Sequence, residues 1–289
     1  MPDIIEYIKV TDRGFVTFLS FENFYKYRDI TPREYLNLDN NKCRGLMSKK
    51  QKKSIATIIN NWVTSVVWFM KSNHIHKAKI GYYLSFCTLT LSANQLHCDK
   101  LIKRECLNTF LIYIKRKYRV KNYIWISEKQ QNGNIHFHII LDRFIHHSHI
   151  RNTWNFAQQK LGYISRFEQK HGHNDPNSTD IKSLKSINNP SAYLIKYLSK
   201  SDKNQFQCGR MWNCSERLKQ IETFTTVVDN NINQILSKFE KENPRKIYKS
   251  EFFHVLHVDK GGIDKTLNEG LRNQVKNFYL EQYKFLNSE

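Results

Sequence analysis

The sequence predicts an α+β fold in which a central antiparallel β-sheet is flanked by helices. Residues 81–92, 122–128 and 135–141 carry the short, alternating apolar pattern of β-strands. Residues 97–119 and 146–160 instead space their apolar side chains as amphipathic helices do. With the remaining elements, the predicted order is strand, helix, strand, strand, helix, strand, strand, helix. That order is typical of helices laid against an antiparallel sheet.

Composition and charge indicate a folded protein with a polyanionic partner. The chain has 289 residues, 40% hydrophobic and 13% aromatic, which is enough for one large domain or two modest ones. Its formal charge is +20, and residues 80–220 hold 22 basic and 9 acidic residues, whereas residues 221–289 hold ten of each. Nucleic acid is the partner that such an excess predicts, with a generally basic surface as the alternative.

These contrasts predict three parts of the chain. Residues 1–79 are expected to form a basic extension packed on the core, with one strand near Phe15–Leu19. A basic run after Ser48 then leads into an amphipathic helix. Residues 80–220 form the central domain, and residues 221–289 a mostly helical region, so both ends add helices to the core.

The sequence also bears on the compartment. Six cysteines show neither Cys-x-x-Cys pairs nor disulfide-dense spacing, which is typical of reduced thiols. No signal-peptide pattern is visible, and no apolar stretch approaches the ~20 residues of a membrane-spanning helix. We therefore expect a cytoplasmic protein with no membrane partner.

The end of the central domain is predicted to consist of four segments. The helix at 146–160 is followed by a strand at 161–168 and by a loop at 171–179. A short strand near 180–185 then precedes a last helix. Histidines 146, 147, 149, 171 and 173 fall in or beside these loops, and we interpret them as polar loop residues, with phosphate contact as the alternative.

The strongest chemical signal is the sequence His136-Phe137-His138 within a predicted strand. Residues two apart in a strand point to the same face, so both imidazoles project together. A His-x-His pair by itself is more often an ordinary surface or core pair. Glu128, in the preceding strand, can complete a set of three metal ligands.

The turn between the two strands decides whether Glu128 reaches the histidines. A two-residue Asn132-Gly133 turn would send Glu128 to the wrong face. A three-residue loop of residues 131–133, with Gly133 in the left-handed conformation, pairs Glu128 with His136 instead. We predict the three-residue loop.

A second chemical signal is the predicted helix from Asn189 to Lys200, which contains two overlapping Tyr-x-x-Lys patterns. Asn189 is suited to cap this helix. Tyr193 and Tyr197 are four residues apart and lie on one face, flanked by Lys196 and Lys200. Two phenols interleaved with two ammonium groups make a poor core stripe and a better phosphate-binding edge.

Three motifs together resemble those of the HUH endonucleases. They are Phe-Cys-Thr-Leu-Thr-Leu at 86–91, His-Phe-His at 136–138 and Tyr-Leu-Ile-Lys-Tyr at 193–197. The pattern is similar to the double-tyrosine rolling-circle replication initiators of small single-stranded DNA phages and plasmids. The resemblance covers residues 86–200 and implies an RNA-recognition-like sheet, a bacterial host cytoplasm and origin-specific nicking of one DNA strand.

The resemblance also implies a role for each motif residue. Glu128, His136 and His138 would hold Mg²⁺ or Mn²⁺. Tyr193 would attack the scissile phosphate and form a 5′-phosphotyrosine intermediate. Lys196 would stabilise the charge that develops, and Tyr197 would alternate with Tyr193, with a packing role as the alternative for Tyr197.

Further residues are predicted to contact the DNA backbone or bases. Trp154 and Trp212 are candidates for base stacking, although core packing is the favoured interpretation of both. The full set of predicted DNA-binding residues is Thr88, Thr90, Arg143, Arg151, Lys182, Lys185, Lys200 and Trp212.

The expected partners are single-stranded DNA or an origin hairpin, together with a host helicase and polymerase. A host helicase is expected because the sequence has no Gly-x-x-x-x-Gly-Lys-Ser/Thr motif. An HUH transposase or relaxase is the rival enzyme. A non-catalytic single-stranded-DNA-binding protein is the alternative from a different class.

Overall fold

The computed structural model describes residues 4–11, 14–21, 47–183, 206–243, 246–250, 253–258 and 266–288. Within these ranges the protein has two antiparallel five-stranded sheets and eight α-helices, which confirms the α+β class. The chain divides into two compact units. The first comprises residues 1–41, 60–69 and 221–285, and the second comprises residues 42–59, 70–220 and 286–289. The predicted boundaries at residues 79 and 220 stay a prediction.

The regular elements are numbered here in chain order. The strands are β1 (Ile4–Thr11), β2 (Gly14–Phe21), β3 (Ser85–Thr90), β4 (Tyr123–Lys129), β5 (Ile135–Leu141), β6 (Thr179–Ser183), β7 (Trp212–Cys214), β8 (Thr225–Val227), β9 (Ile247–Lys249) and β10 (Phe253–His257). The α-helices are α1 (Lys49–Ser72), α2 (Asp99–Ile102), α3 (Asn108–Tyr118), α4 (His147–Gln159), α5 (Tyr163–His171), α6 (Glu216–Lys219), α7 (Asn230–Glu242) and α8 (Glu269–Asn287).

The central sheet belongs to the second unit and has the strand order β6-β3-β5-β4-β7, antiparallel throughout. Strand alternation gives it two different faces. One face packs Leu89, Phe137 and Ile139 against the helices, where Phe110 and Trp154 are fully buried. The other face carries the predicted metal ligands.

The helix predicted at 97–119 is present, with one irregularity. A π-helical turn at Lys103–Leu107 joins α2 to α3, and Arg119 ends the run in the left-handed conformation with φ 54°. Lysines and an arginine occupy the last turn of α3, where cations interact favourably with the helix dipole. The basic helix predicted after Ser48 is α1. None of the helices in the described ranges is long and apolar enough to cross a membrane.

The strand predicted at 161–168 is wrong, because this segment is helix α5. Gly162 adopts φ 74° and turns the chain after α4. Tyr163, Ile164 and Phe167 then recur at helical rather than strand spacing, and Tyr163 and Ile164 are buried. The Gln159 side chain also accepts a hydrogen bond from the Ser165 N–H at the start of this helix.

The second sheet belongs to the first unit and has the order β8-β1-β2-β10-β9. Only the strand near Phe15–Leu19 was predicted among its five strands. Its inner face packs Ile8, Val10, Phe15 and Leu256 against helices α7 and α8. Gly14 is required where β2 meets β10, because it has φ 141° and an added Cβ would lie 1.8 Å from the Leu256 carbonyl oxygen.

Candidate metal centre

The β4–β5 hairpin has the predicted register. The Gly133 N–H donates to the Gln130 carbonyl and the Gln130 N–H donates to the Asn134 carbonyl, each at 2.9 Å. Gly133 has φ 81°, so the loop comprises residues 131–133 with its glycine in the left-handed conformation. Glu128 therefore pairs directly with His136. The three-residue loop is confirmed.

This register brings the three candidate ligands together on one face of the central sheet. One ligand atom from each of Glu128, His136 and His138 lies within 4.8 Å of the others. The Oε1 atom of Glu128 is 2.9 Å from Nε2 of His138, and the two imidazole centroids are 4.5 Å apart. Glu128 is 6% exposed and His138 is 3% exposed, while His136 is partly exposed. The cluster thus has one side open to a ligand.

Strand β3 supports both imidazoles from the side away from Glu128. Oγ1 of Thr88 lies 3.2 Å from Nδ1 of His138, and Oγ1 of Thr90 lies 3.3 Å from Nδ1 of His136. The Phe86 ring stacks on His138 with a centroid distance of 5.6 Å. When each Nδ1–H donates to its threonine, Nε2 of each ring is left with a lone pair that can bind a metal. The predicted DNA contacts of Thr88 and Thr90 stay a prediction.

The chemistry of this cluster fits a divalent cation. A buried carboxylate is costly unless a cation or hydrogen-bond donors compensate it. Two imidazole nitrogens and one carboxylate oxygen are a donor set that first-row divalent metals accept, and Mn²⁺ accepts imidazole more readily than Mg²⁺ does. The residues present can therefore hold a divalent metal ion, whose identity the geometry leaves open.

The same face extends across all five strands of the central sheet. The row through Ile126 places Trp212, His138, Thr88 and Asp180 side by side. Trp212 is partly exposed at one edge and Asp180 is exposed at the other. The sequence did not single out Asp180, because a lone carboxylate after a loop carries no motif.

The two predicted DNA-binding arginines have partners within the protein. Nη1 of Arg143 donates to the Tyr118 carbonyl at 2.9 Å. Nη2 of Arg151 lies 3.1 Å from Oδ2 of Asp175. Trp154 is fully buried and donates to the Thr90 carbonyl, which confirms core packing for that tryptophan.

For Lys182 only the backbone in β6 is described. The following lie outside the described residues: Lys185, Tyr193, Lys196, Tyr197 and Lys200.

The five histidines predicted in or beside loops lie at or near helix ends. His146 precedes α4 and its ring is 4.1 Å from that of His147. His171 ends α5 and stacks on Phe167, with His173 nearby. Among the described residues, only Glu128, His136 and His138 form a cluster with metal-ligand geometry.

A buried polar network beside the hairpin was missed by the sequence analysis. Asp99 accepts hydrogen bonds from Nζ of Lys129 at 2.6 Å, from Nε2 of Gln95 at 2.7 Å and from the Cys208 N–H at 3.1 Å. Burial alone would raise the pKa of Asp99, but these donors outweigh it and hold the pKa below its usual value. Gln207 is also buried and exchanges hydrogen bonds with Ser127. The network therefore anchors the chain that follows the predicted tyrosine helix.

Residues 84–202 match the family model of the replication-associated protein ORF2/G2P. The match begins next to β3, contains Glu128, His136 and His138, and extends over Tyr193 and Tyr197. It supports the role of a replication initiator with DNA as partner. Searches of curated proteins and of solved structures gave no significant match.

Proposed function

We propose that this protein initiates rolling-circle replication by nicking and rejoining single-stranded DNA at an origin, with a divalent metal and a tyrosine nucleophile. The observation that carries the proposal is the convergence of Glu128, His136 and His138 within 4.8 Å, inside a segment that matches a replication-associated family. Neither observation would be enough alone. Three such ligands occur in many enzymes, and a family match does not by itself supply an active site.

Glu128, His136 and His138 would hold the metal, with Mn²⁺ favoured over Mg²⁺ by the two imidazoles. When bound, the metal would supply Lewis-acid polarisation of a phosphate oxygen. The role of the β4–β5 hairpin is to fix the ligands before DNA arrives, because the strand register sets their positions. Thr88 and Thr90 would keep the imidazole rings oriented.

Tyr193 is the proposed nucleophile. A free phenol has a pKa of ~10, so its proton must be lost as it attacks. A bond would form between the phenol oxygen and phosphorus, and the bond from phosphorus to the 3′ oxygen would break. That oxygen takes up a proton and leaves as a 3′-OH, while the 5′-phosphate stays on the tyrosine. Lys196 would stabilise the negative charge on the phosphoryl oxygens.

Tyr197 is the proposed second nucleophile. Its position four residues after Tyr193 would put both phenols on one helix face. Attack by Tyr197 on a regenerated origin would form a second phosphotyrosine and free a 3′-OH. That 3′-OH would then attack the phosphotyrosine at Tyr193, restoring a phosphodiester bond and releasing the Tyr193 phenol. Rejoining then conserves the phosphodiester bond without a nucleotide cofactor.

The deciding experiment is adduct formation on candidate origin oligonucleotides in the presence of Mn²⁺. Wild-type protein should form a covalent protein–DNA band that resists denaturation, and Tyr193→Phe should lose that band. Tyr197→Phe is the matched control, because it removes the neighbouring hydroxyl and should still allow the first cut. A band that persists in Tyr193→Phe and disappears in Tyr197→Phe would assign the first cut to Tyr197 instead.

Metal dependence is tested in the same assay with His138→Ala. This variant should lose the adduct at every Mn²⁺ concentration at which the wild-type protein forms one. Binding of single-stranded DNA without any adduct, across origin sequences and metals, would overturn the proposal in favour of a non-catalytic DNA-binding protein.

A further inference from the structure

The second sheet has an outer face that the proposed chemistry does not use. Its inner face packs against helices, whereas strand alternation turns Tyr7, Phe18, Tyr248 and Phe253 to the other side. We call this set the aromatic face. Tyr248 is 59% exposed and Phe253 is 41% exposed, and the other two rings are partly exposed.

The rings of the aromatic face are arranged in a row across neighbouring strands. Tyr7 pairs with Phe18, and Phe18 pairs with Phe253, so three adjacent strands each contribute one ring at the same level. The Tyr7 and Phe18 rings are stacked at 5.7 Å with a 20° angle between their planes. The Tyr248 ring lies 6.0 Å from that of Phe253. Strands are spaced about 4.8 Å apart, so the row extends over about 10 Å.

The charge on this face is positive. Lys9 lies beside the row, and its Nζ is 4.9 Å from the centroid of the Phe18 ring. His257 occupies another outward position on β10, next to Gly14. In the described parts of the five strands the one carboxylate is Glu6, which strand alternation turns to the inner side. Within the described parts of these strands, a negatively charged backbone therefore meets a cation and no opposing carboxylate.

Exposed rings on a sheet, with a cation beside them, are the chemistry that binds unpaired bases. Bases of single-stranded nucleic acid stack on aromatic side chains, and sheets that present two or three such rings can hold two or three bases. The aliphatic side chains on this face are Ile5, Val16, Val227 and Val255. The exposed rings beside the Lys9 cation favour single-stranded DNA as the ligand.

We propose that the aromatic face binds single-stranded DNA by stacking bases on Phe253 and Tyr248, with Lys9 contacting the backbone. The choice of DNA as ligand rests on the proposed function. The bases are held independently of their sequence, because every base presents a π-face. The protein therefore has a DNA-binding surface distinct from the metal centre.

The test is the affinity of the full-length protein for a fluorescein-labelled oligothymidylate, measured by anisotropy in the presence of Mn²⁺. Tyr248→Ala and Phe253→Ala should each weaken binding about 5-fold to 100-fold, the range expected for one lost stacking partner. Phe253→Tyr retains a ring and should restore most of the affinity. Phe156→Ala is the matched control, because Phe156 is 58% exposed on α4 and lies outside the aromatic face.

The salt dependence of DNA affinity distinguishes base stacking from contacts to phosphate. Loss of a phosphate contact changes the salt dependence of binding, whereas loss of a ring does not. The ratio of wild-type to Tyr248→Ala affinity should therefore stay constant between about 50 and 200 mM salt. In addition, oligonucleotides carrying 5-iodouracil should photocrosslink to peptides from β2, β9 or β10.

Unchanged affinity in both alanine variants, with crosslinks confined to other peptides, would overturn the proposal. A second result would also overturn it: light scattering shows a changed oligomeric state in these variants while their DNA binding is unchanged. The face would then bind a second copy of the chain. The outcome is separable from that of the nicking assay. Stacking can be present in a protein that never forms an adduct, and an adduct can form in a protein whose variants bind normally.

Discussion

The hydroxyl groups of Thr88 and Thr90 allow a direct test of how the candidate metal centre is held in place. Oγ1 of Thr88 lies 3.2 Å from Nδ1 of His138, and Oγ1 of Thr90 lies 3.3 Å from Nδ1 of His136. Valine has the same branched shape but no hydroxyl. The substitutions Thr88→Val and Thr90→Val therefore remove the partner of each ring without opening a large cavity.

The expected size of the effect follows from these distances. Loss of an outer partner of a metal-binding histidine typically weakens metal affinity 10-fold to 100-fold. Both contacts lie at or just beyond the long end of the usual hydrogen-bond range, so we expect the lower value, about 10-fold each or ~1.4 kcal/mol. The two rings are neighbours in one site, so the double variant should lose more than either single variant and at most about 100-fold.

Isothermal titration of the full chain with Mn²⁺ measures this loss directly, without any nicking assay. Thr88→Ser and Thr90→Ser keep the hydroxyl and should retain wild-type affinity, whereas His136→Ala should abolish binding. If the double valine variant binds Mn²⁺ as tightly as the wild-type protein while His136→Ala does not bind, the threonines do not orient the imidazoles. The side-chain geometry described for β3 would then have no bearing on the metal.

Two further predictions concern stability. Gly14→Ala should lower the free energy of unfolding by more than about 1–3 kcal/mol. The new methyl group would lie 1.8 Å from the Leu256 carbonyl oxygen, in a backbone conformation that alanine rarely adopts. Hydrogen exchange of β2 and β10 in denaturant measures the loss, and unchanged protection of these strands would contradict the close contact. The pKa of Asp99 is lower in the folded protein than in the unfolded chain, so its stabilising contribution is complete above the unfolded pKa of about 3.9 and is lost as the pH falls through the folded value. The stability difference between wild type and Asp99→Asn should therefore be constant from about pH 5.5 to 7 and shrink below about pH 4; a difference that grows on acidification would show that the pKa is raised.

The part of the metal centre that lies in one hairpin was predictable from sequence. Gly133 sets the loop length, the loop sets the register, and the register decides which face Glu128 shares with His136. Each of these steps is local in the chain. Local steps are the ones that residue patterns determine directly.

The second sheet was not predictable in the same way. Phe18 pairs with Phe253, from nearly the opposite end of the chain, and β1 pairs with β8. Strands as short as β8 and β9, at three residues each, show no readable alternation. The polar network of Asp99 and Gln207 was missed for a related reason, since its members are brought together only by the folded chain.

The error at 161–168 has a different cause. Leu161, Tyr163 and Ile164 form a short apolar run that resembles a strand, but Gly162 turns the chain and Phe167 completes a helical spacing. A short apolar run cannot distinguish the two by period alone. Burial of Tyr163 against the helices decided the outcome.

The strand order of the two sheets has a consequence for how the protein is made. The central sheet is complete once Cys214 has been synthesised, because all its strands lie between Ser85 and that residue. The hairpin of β1 and β2 is synthesised earlier, but β2 gains its second neighbour only when β10 has been synthesised. During that interval the ribosome-bound chain carries an open strand edge bearing aromatic side chains, which is the kind of segment that pairs wrongly with other chains. We therefore expect the central sheet to be able to fold during translation, before the last strands of the second sheet emerge.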